Sequence, residues 1–227
     1  MQRYISSAKG PPVTTVKPLP DYLLRRYHGW KATTFDNNRG WYRNLAEQGQ
    51  HPRAMVISCC DSRVQPTSIF DAEGGELFVH RNVANLVPPC TDDRNHHGTS
   101  AAVEYAVTSL KVAHLVVMGH SACGGVKGCY DMCEGKAPQL EEQSSFVGRW
   151  MDILRPGHAA LSEGTDEERV AELEKGAIRV SMRNLMTFPF VAEAVERGDL
   201  TLHGLWTDIA SGQLLALDEA TDTFLPV

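Results

Sequence analysis

The chain has no apolar run long enough to span a bilayer as a helix. Its first residues, Met1-Gln2-Arg3-Tyr4-Ile5-Ser6-Ser7, lack the apolar core of a secretory signal. It is poor in aromatics (7%), and it has no basic tract that could follow a phosphate backbone. Arg25-Arg26 stands alone, and the formal net charge is -6. These absences exclude a membrane span and disfavour nucleic acid as a partner. They point to a cytoplasmic protein. There is also no internal repeat and no low-complexity segment, which sets aside solenoids and linkers. What remains is 227 residues with 42% apolar content, enough for a sizeable core. We expect a single domain over 1–227.

Six cysteines are present, at 59, 60, 90, 123, 129 and 133. In an intracellular chain such thiols are more often metal ligands or catalytic groups than disulfide partners. Cys59-Cys60-Asp61-Ser62-Arg63 follows the apolar run Ala54-Met55-Val56-Ile57, which suits a buried strand. A second apolar run, 112–118, empties into Gly119-His120-Ser121-Ala122-Cys123-Gly124-Gly125. If the two runs are parallel neighbours, Cys59, His120 and Cys123 meet at the carboxyl edge of the sheet, where open α/β folds bind ligands. Two thiolates and one imidazole with a fourth position open is a catalytic type of zinc site. A lone His-x-x-Cys would read better as a buried thiol beside a turn histidine. The Asp61 and Arg63 beside the first cysteine alter that balance, because a charged pair is costly there unless its members bind each other.

Along the chain, 1–20 carries four prolines and reads as an extended arm, on the surface or against a neighbouring subunit. Asp21 is a candidate cap for a helix from Tyr22, and a second helix is expected near Trp41 to Glu47. Strands are expected at 54–57, 76–80, 112–118, 200–207 and 213–217. Helices are expected at 66–72, 98–110, from 124 toward Cys133, at 140–161, from a capped start at Thr165 to about Met186, and from Pro189 to near Gly198. The alternation predicts an α/β fold, a mainly parallel central sheet flanked by helices, with a helical and extended N-terminal arm.

Cys59-x-Asp61-Ser62-Arg63 together with His120-x-x-Cys123-Gly124-Gly125 resembles the β-class carbonic anhydrases. The likeness continues through Glu76-Leu77-Phe78-Val79-x-Arg81-Asn82-x-Ala84-Asn85 and Glu104-Tyr105-Ala106-Val107. It is close over roughly 50 to 128 and loose beyond. The resemblance implies one zinc ion per chain on Cys59, His120 and Cys123, with Cys60 at a variable position. It implies reversible hydration of carbon dioxide to bicarbonate and a proton by zinc-bound hydroxide, in a homodimer or dimer-based higher oligomer. By the same resemblance Asp61 orients the nucleophile, Arg63 restrains Asp61, and Gln50 donates to substrate. Phe78, Val83, Tyr105 and Gly124 then line the pocket, some walls coming from a neighbouring subunit. Gln50 and Tyr105 stand where the plant-like pocket variety has a glutamine and a tyrosine. Val56 stands where the other variety has a tryptophan of a bicarbonate-binding regulatory site, so that site is not expected.

Other readings fit fewer residues. A hydrolase of carbon disulfide or carbonyl sulfide could use the same scaffold. A catalytically silent zinc module would need neither Gln50, Asp61 nor Arg63. A redox protein using Cys59-Cys60 is a further alternative, which stoichiometric zinc would exclude. Cys129-x-x-x-Cys133 has no further ligands in sequence, and His96-His97 reads as a solvated loop pair.

Overall fold

A computed structural model describes residues 16–93 and 95–227. The reading of 1–20 as an extended arm falls largely outside them; residues 16–20 are exposed and carry neither helix nor strand. The chain forms two compact units, Met1–Gly49 and Gln50–Val227. In the first, helices α1 (Asp21–Trp30) and α2 (Arg39–Gln48) flank a π-helical turn at Lys31–Phe35. Asp21 is not the cap: Pro20 holds that position, and Asp21 lies in the first turn, where its charge favours the helix dipole.

The second unit is built on one six-stranded sheet. Its elements in order are β1 (Ala54–Cys59), α3 (Pro66–Ile69), β2 (Leu77–Asn82), α4 (Gly98–Glu104), β3 (His114–His120), α5 (Gly124–Cys133), α6 (Phe146–Met151), α7 (Arg155–Ala159), α8 (Asp166–Leu185), α9 (Pro189–Glu196), β4 (Thr201–Thr207), β5 (Leu214–Asp218) and β6 (Thr223–Pro226). The strand order is β2-β1-β3-β4-β5-β6. The first four strands are mutually parallel, and β5 and β6 are antiparallel. From β1 the chain moves outward to β2, then crosses back to β3 and on to β4. The reversal between β1 and β3 is a topological switch point, and its carboxyl edge opens a crevice.

The central strands are apolar on both faces because both are covered. Met55, Ile57, Leu115 and Val117 pack with Ile178 and Leu185 of α8 and Val191 and Ala194 of α9. On the other face Val56 and Met118 pack with Val64. Helix α8 reaches a further cluster through Leu173, Ala177 and Val180, which includes Cys59, Cys123 and Val126. One helix therefore backs both the sheet and the crevice. It starts on a capping box: Glu168 N–H donates to the Thr165 hydroxyl at 3.3 Å, and Thr165 N–H donates to the Glu168 carboxylate at 2.9 Å.

Besides the Asp21 cap, the structure differs from the sequence reading in three main places. The expected helix over 140–161 is three short pieces. Ser145 caps a new start by accepting from Gly148 N–H, and Pro156 sits in the first turn of another. The helix over 98–110 widens to a π-helical turn at Tyr105–Leu110 and ends on Lys111 in the left-handed region. A sixth strand, β6, was not expected. Among the described residues no helix is long and apolar enough to cross a membrane.

Candidate metal centre and active site

Register explains why three distant residues meet. Cys59 ends β1 and pairs with Asn82 of β2, while His120 ends β3 and pairs with Thr207 of β4. Because β1 and β3 are parallel neighbours, both ends open on the same edge. The chain then turns through Ala122, left-handed at φ 55, to deliver Cys123 as the N-cap of α5. The ligand atoms of Cys59, His120 and Cys123 all lie within 4.8 Å of one another.

The geometry fits a tetrahedral thiophilic cation. The two sulfurs are 3.9 Å apart. Bonds of about 2.3 Å to a tetrahedral zinc would set them about 3.8 Å apart. The His120 Nδ1–H donates to the Ser121 carbonyl at 2.9 Å. That bond fixes the tautomer, since a carbonyl can only accept, and leaves the Nε2 lone pair free. Nε2 is buried without a hydrogen-bond partner, which suits a ligand atom whose lone pair is directed at a metal. The Cys123 hydrogen bond pulls the Cys59 thiol far below its ordinary value against the opposing effect of burial, and His120 helps. Cys59 and burial push Cys123 up, opposed by the first N–H groups of α5. Burial disfavours the His120 cation, yet the Cys59 sulfur and the Ser121 carbonyl raise its pKa on balance.

Asp61 and Arg63 form the bidentate pair expected of them. Arg63 Nε donates to Asp61 Oδ1 at 2.9 Å and Nη2 to Oδ2 at 2.7 Å. The Arg63 backbone N–H adds a third bond to Oδ1 at 3.0 Å. These bonds hold the Asp61 carboxyl well below the usual carboxylate range. Arg63 Nη2 also donates to the Ala122 carbonyl at 3.0 Å, tying the Cys59 loop to the Cys123 loop. Val83 and Gly124 sit at the same edge. Val83 packs on the cluster containing Cys59 and Cys123, and Gly124 is the first residue of α5. A Cβ on the adjacent Gly125 would lie 2.7 Å from Val83 Cγ1, so that close approach requires glycine.

Gln50, Phe78 and Tyr105 are elsewhere. Phe78 pairs with Met55, four residues before Cys59 in the register, which is about 13 Å of strand. Tyr105 stacks obliquely on Phe78 with ring centroids 5.9 Å apart, and it is 48% exposed. Gln50 precedes β1, at the end opposite Cys59. Its neighbours His51 and Arg53 line a cavity with His114 and His203, at the start of β3 and β4. Within one chain these three do not reach the metal centre.

Two residues that the sequence reading did not assign are built into the centre. Arg81 spends its fork on the Cys59–Gln65 loop, donating to the carbonyls of Cys59 (2.9 Å), Asp61 (2.8 Å) and Val64 (2.7 Å) and to Gln65 Oε1 (2.5 Å). Its signal was a polar pair, Arg81-Asn82, continuing an apolar strand. Glu174 of α8 is 3% exposed, accepting from Cys123 N–H at 3.2 Å and from the Trp206 indole N–H at 3.3 Å. Burial raises its pKa, with the Cys123, Trp206 and Ala122 N–H groups opposing. Its signal was an acid on the apolar stripe Leu173, Ala177, Ile178, Val180.

An open α/β sheet with a Cys-His-Cys metal centre at its switch point, beside an arginine-restrained aspartate, defines a class of metalloenzyme. The carbonic anhydrase family model matches residues 54–214, and the chain belongs to that family, in its β class. Beta carbonic anhydrase 3 of Arabidopsis thaliana is 36% identical over 187 residues, covering 81% of this chain and 70% of that protein. The structure of the β-carbonic anhydrase CcaA superposes with a TM-score of 0.78 at 31% identity, over 91% of each chain. Tetrameric β-carbonic anhydrases of Sordaria macrospora give 0.68 at 30% identity, over 87% of this chain and 95% of theirs. The enzyme is thus a carbonic anhydrase, and zinc is its metal.

Proposed function

We propose that this enzyme hydrates carbon dioxide reversibly to bicarbonate and a proton at a zinc ion held by Cys59, His120 and Cys123. The observation that carries the reading is the bidentate Arg63–Asp61 pair beside the ligand triad. Zinc, when bound, lowers the pKa of water enough to supply hydroxide near neutral pH. The chain's own groups do the rest. Both Asp61 oxygens are engaged by Arg63, which keeps the carboxylate from taking the fourth ligand position. Asp61 retains lone pairs to accept a hydrogen bond from the attacking hydroxyl and aim it at the carbon of carbon dioxide. The Gly124 N–H, at the start of α5, can donate to the oxygen that gains charge. Val83 gives the apolar wall that an uncharged gas needs.

We assign the plant-like pocket, with Gln50 as donor to substrate and Phe78 and Tyr105 as walls, supplied by a second copy of the chain. Their place at the far end of the sheet supports this, as does the exposure of Tyr105. The Sordaria macrospora relatives are tetrameric, in keeping with a homodimer or a dimer-based assembly here. Stopped-flow hydration of carbon dioxide, with metal analysis on the same sample, tests the reading. Stoichiometric zinc without hydration above buffer would overturn it, and parallel assays with carbonyl sulfide and carbon disulfide separate the hydrolase alternative.

A further inference from the structure

Among the buried described residues Glu174 is the only one with a carboxyl side chain. It lies on the inner face of α8 between Leu173 and Ala177, where an apolar residue would serve the packing. Burying an acid there is costly unless its oxygens are matched to donors. Both are matched, and to different elements. Oε1 accepts from the backbone N–H of Cys123, itself a metal ligand and the N-cap of α5. Oε2 accepts from the indole N–H of Trp206 on β4, one residue from the register partner of His120.

We propose that Glu174 is the positioning residue of the metal centre: it pins the Cys123 backbone to α8 and β4, so that the two sulfurs stand at metal-binding separation before the ion arrives. The chemistry requires glutamate. A carboxylate presents an acceptor to each of two donors. A glutamine presents one acceptor and one N–H, and turns that N–H against either Cys123 or Trp206. An apolar side chain leaves both donors buried and unsatisfied. Packing alone would be met by leucine.

The proposal rests on Cys123 being a zinc ligand, and the test separates the two. Zinc affinity is measured by competition with a chromogenic chelator, alongside urea unfolding of the metal-free protein. Glu174→Gln should weaken zinc binding by about 10- to 100-fold, the range for residues that orient metal ligands. Removing the clashing donor, in the double variant Glu174→Gln with Trp206→Phe, should recover most of that loss. Where Glu174→Gln does not fold, Glu174→Asp, which keeps the charge but draws the carboxyl back by one methylene, should weaken zinc binding by about fivefold or more. Zinc affinity within about twofold of wild type in these variants overturns the role. So does a loss confined to stability of the metal-free protein with no rescue by Trp206→Phe. Wild-type protein that holds no stoichiometric zinc would instead refute the ligand assignment itself.

Discussion

Arg63 carries two duties with one guanidinium, the Asp61 carboxylate and the Ala122 carbonyl. Arg63→Ala should therefore do more than remove a charge. Asp61 becomes free to occupy the fourth position on zinc. Hydration should fall by about 100-fold with zinc content unchanged, read by stopped flow and metal analysis, and X-ray absorption should detect an added carboxylate oxygen on the metal. Asp61 has a depressed pKa in the folded chain, set first by the Arg63 hydrogen bonds. Its stabilising contribution is complete above the ordinary carboxyl value and is lost as pH falls toward the folded one. The unfolding free-energy gap between wild type and Asp61→Asn should stay level from about pH 8 to about pH 5 and narrow below about pH 4. Urea melts across that range check it. Cys59, His120, Cys123, Asp61 and Arg63 were legible in sequence because each sits just past an apolar run in a spacing with few structural uses. Arg81 and Glu174 were not. Their meaning depends on which carbonyls and N–H groups face them, and no linear pattern encodes that.

At the scale of elements, α8 determines how well the crevice is backed, and Thr165 starts it. Thr165→Ala removes one half of the capping box, leaves an N–H of the first turn without its acceptor, and should cost about 1 kcal/mol in urea unfolding. The α5 start is less forgiving. Gly125→Ala places a methyl 2.7 Å from Val83 Cγ1 and 3.1 Å from Ala84 Cβ. It should cost about 1–3 kcal/mol and slow hydration, because Cys123 moves with the helix. The parallel strands and the Thr165 helix were readable from apolar runs and a capping pattern. The broken helix over 140–161 was not, because Phe146, Trp150, Ile153 and Leu154 keep a helical stripe across a Ser145 cap and Pro156. Strand β6 escaped for another reason. Thr223-Phe224-Leu225-Pro226 is short, and only its antiparallel register with β5 makes it a strand.

For the molecule as a whole, the telling feature is that Gln50 precedes β1 and Phe78 lies near the start of β2 with Tyr105 packed on it, away from the carboxyl ends of β1 and β3 that hold the metal ligands. If a second copy supplies them, two crippled chains can repair each other. Cys59→Ser is expected to be inactive and Gln50→Ala slow. In a mixed dimer, the zinc of the Gln50→Ala chain meets the intact Gln50 of the Cys59→Ser chain. Unfolding and refolding the two together should raise hydration above the sum of the separate proteins, and activity that merely averages would place Gln50 outside the neighbour's pocket. The family resemblance implied that a neighbouring subunit supplies some walls, but spacing along a chain does not say which side chains serve the other copy. A lesion at Tyr105 would then silence a zinc ion that its own chain never touches. In a cell making both intact and altered chains, such a lesion would behave as partly dominant, spoiling the healthy product in proportion to how often the two kinds associate.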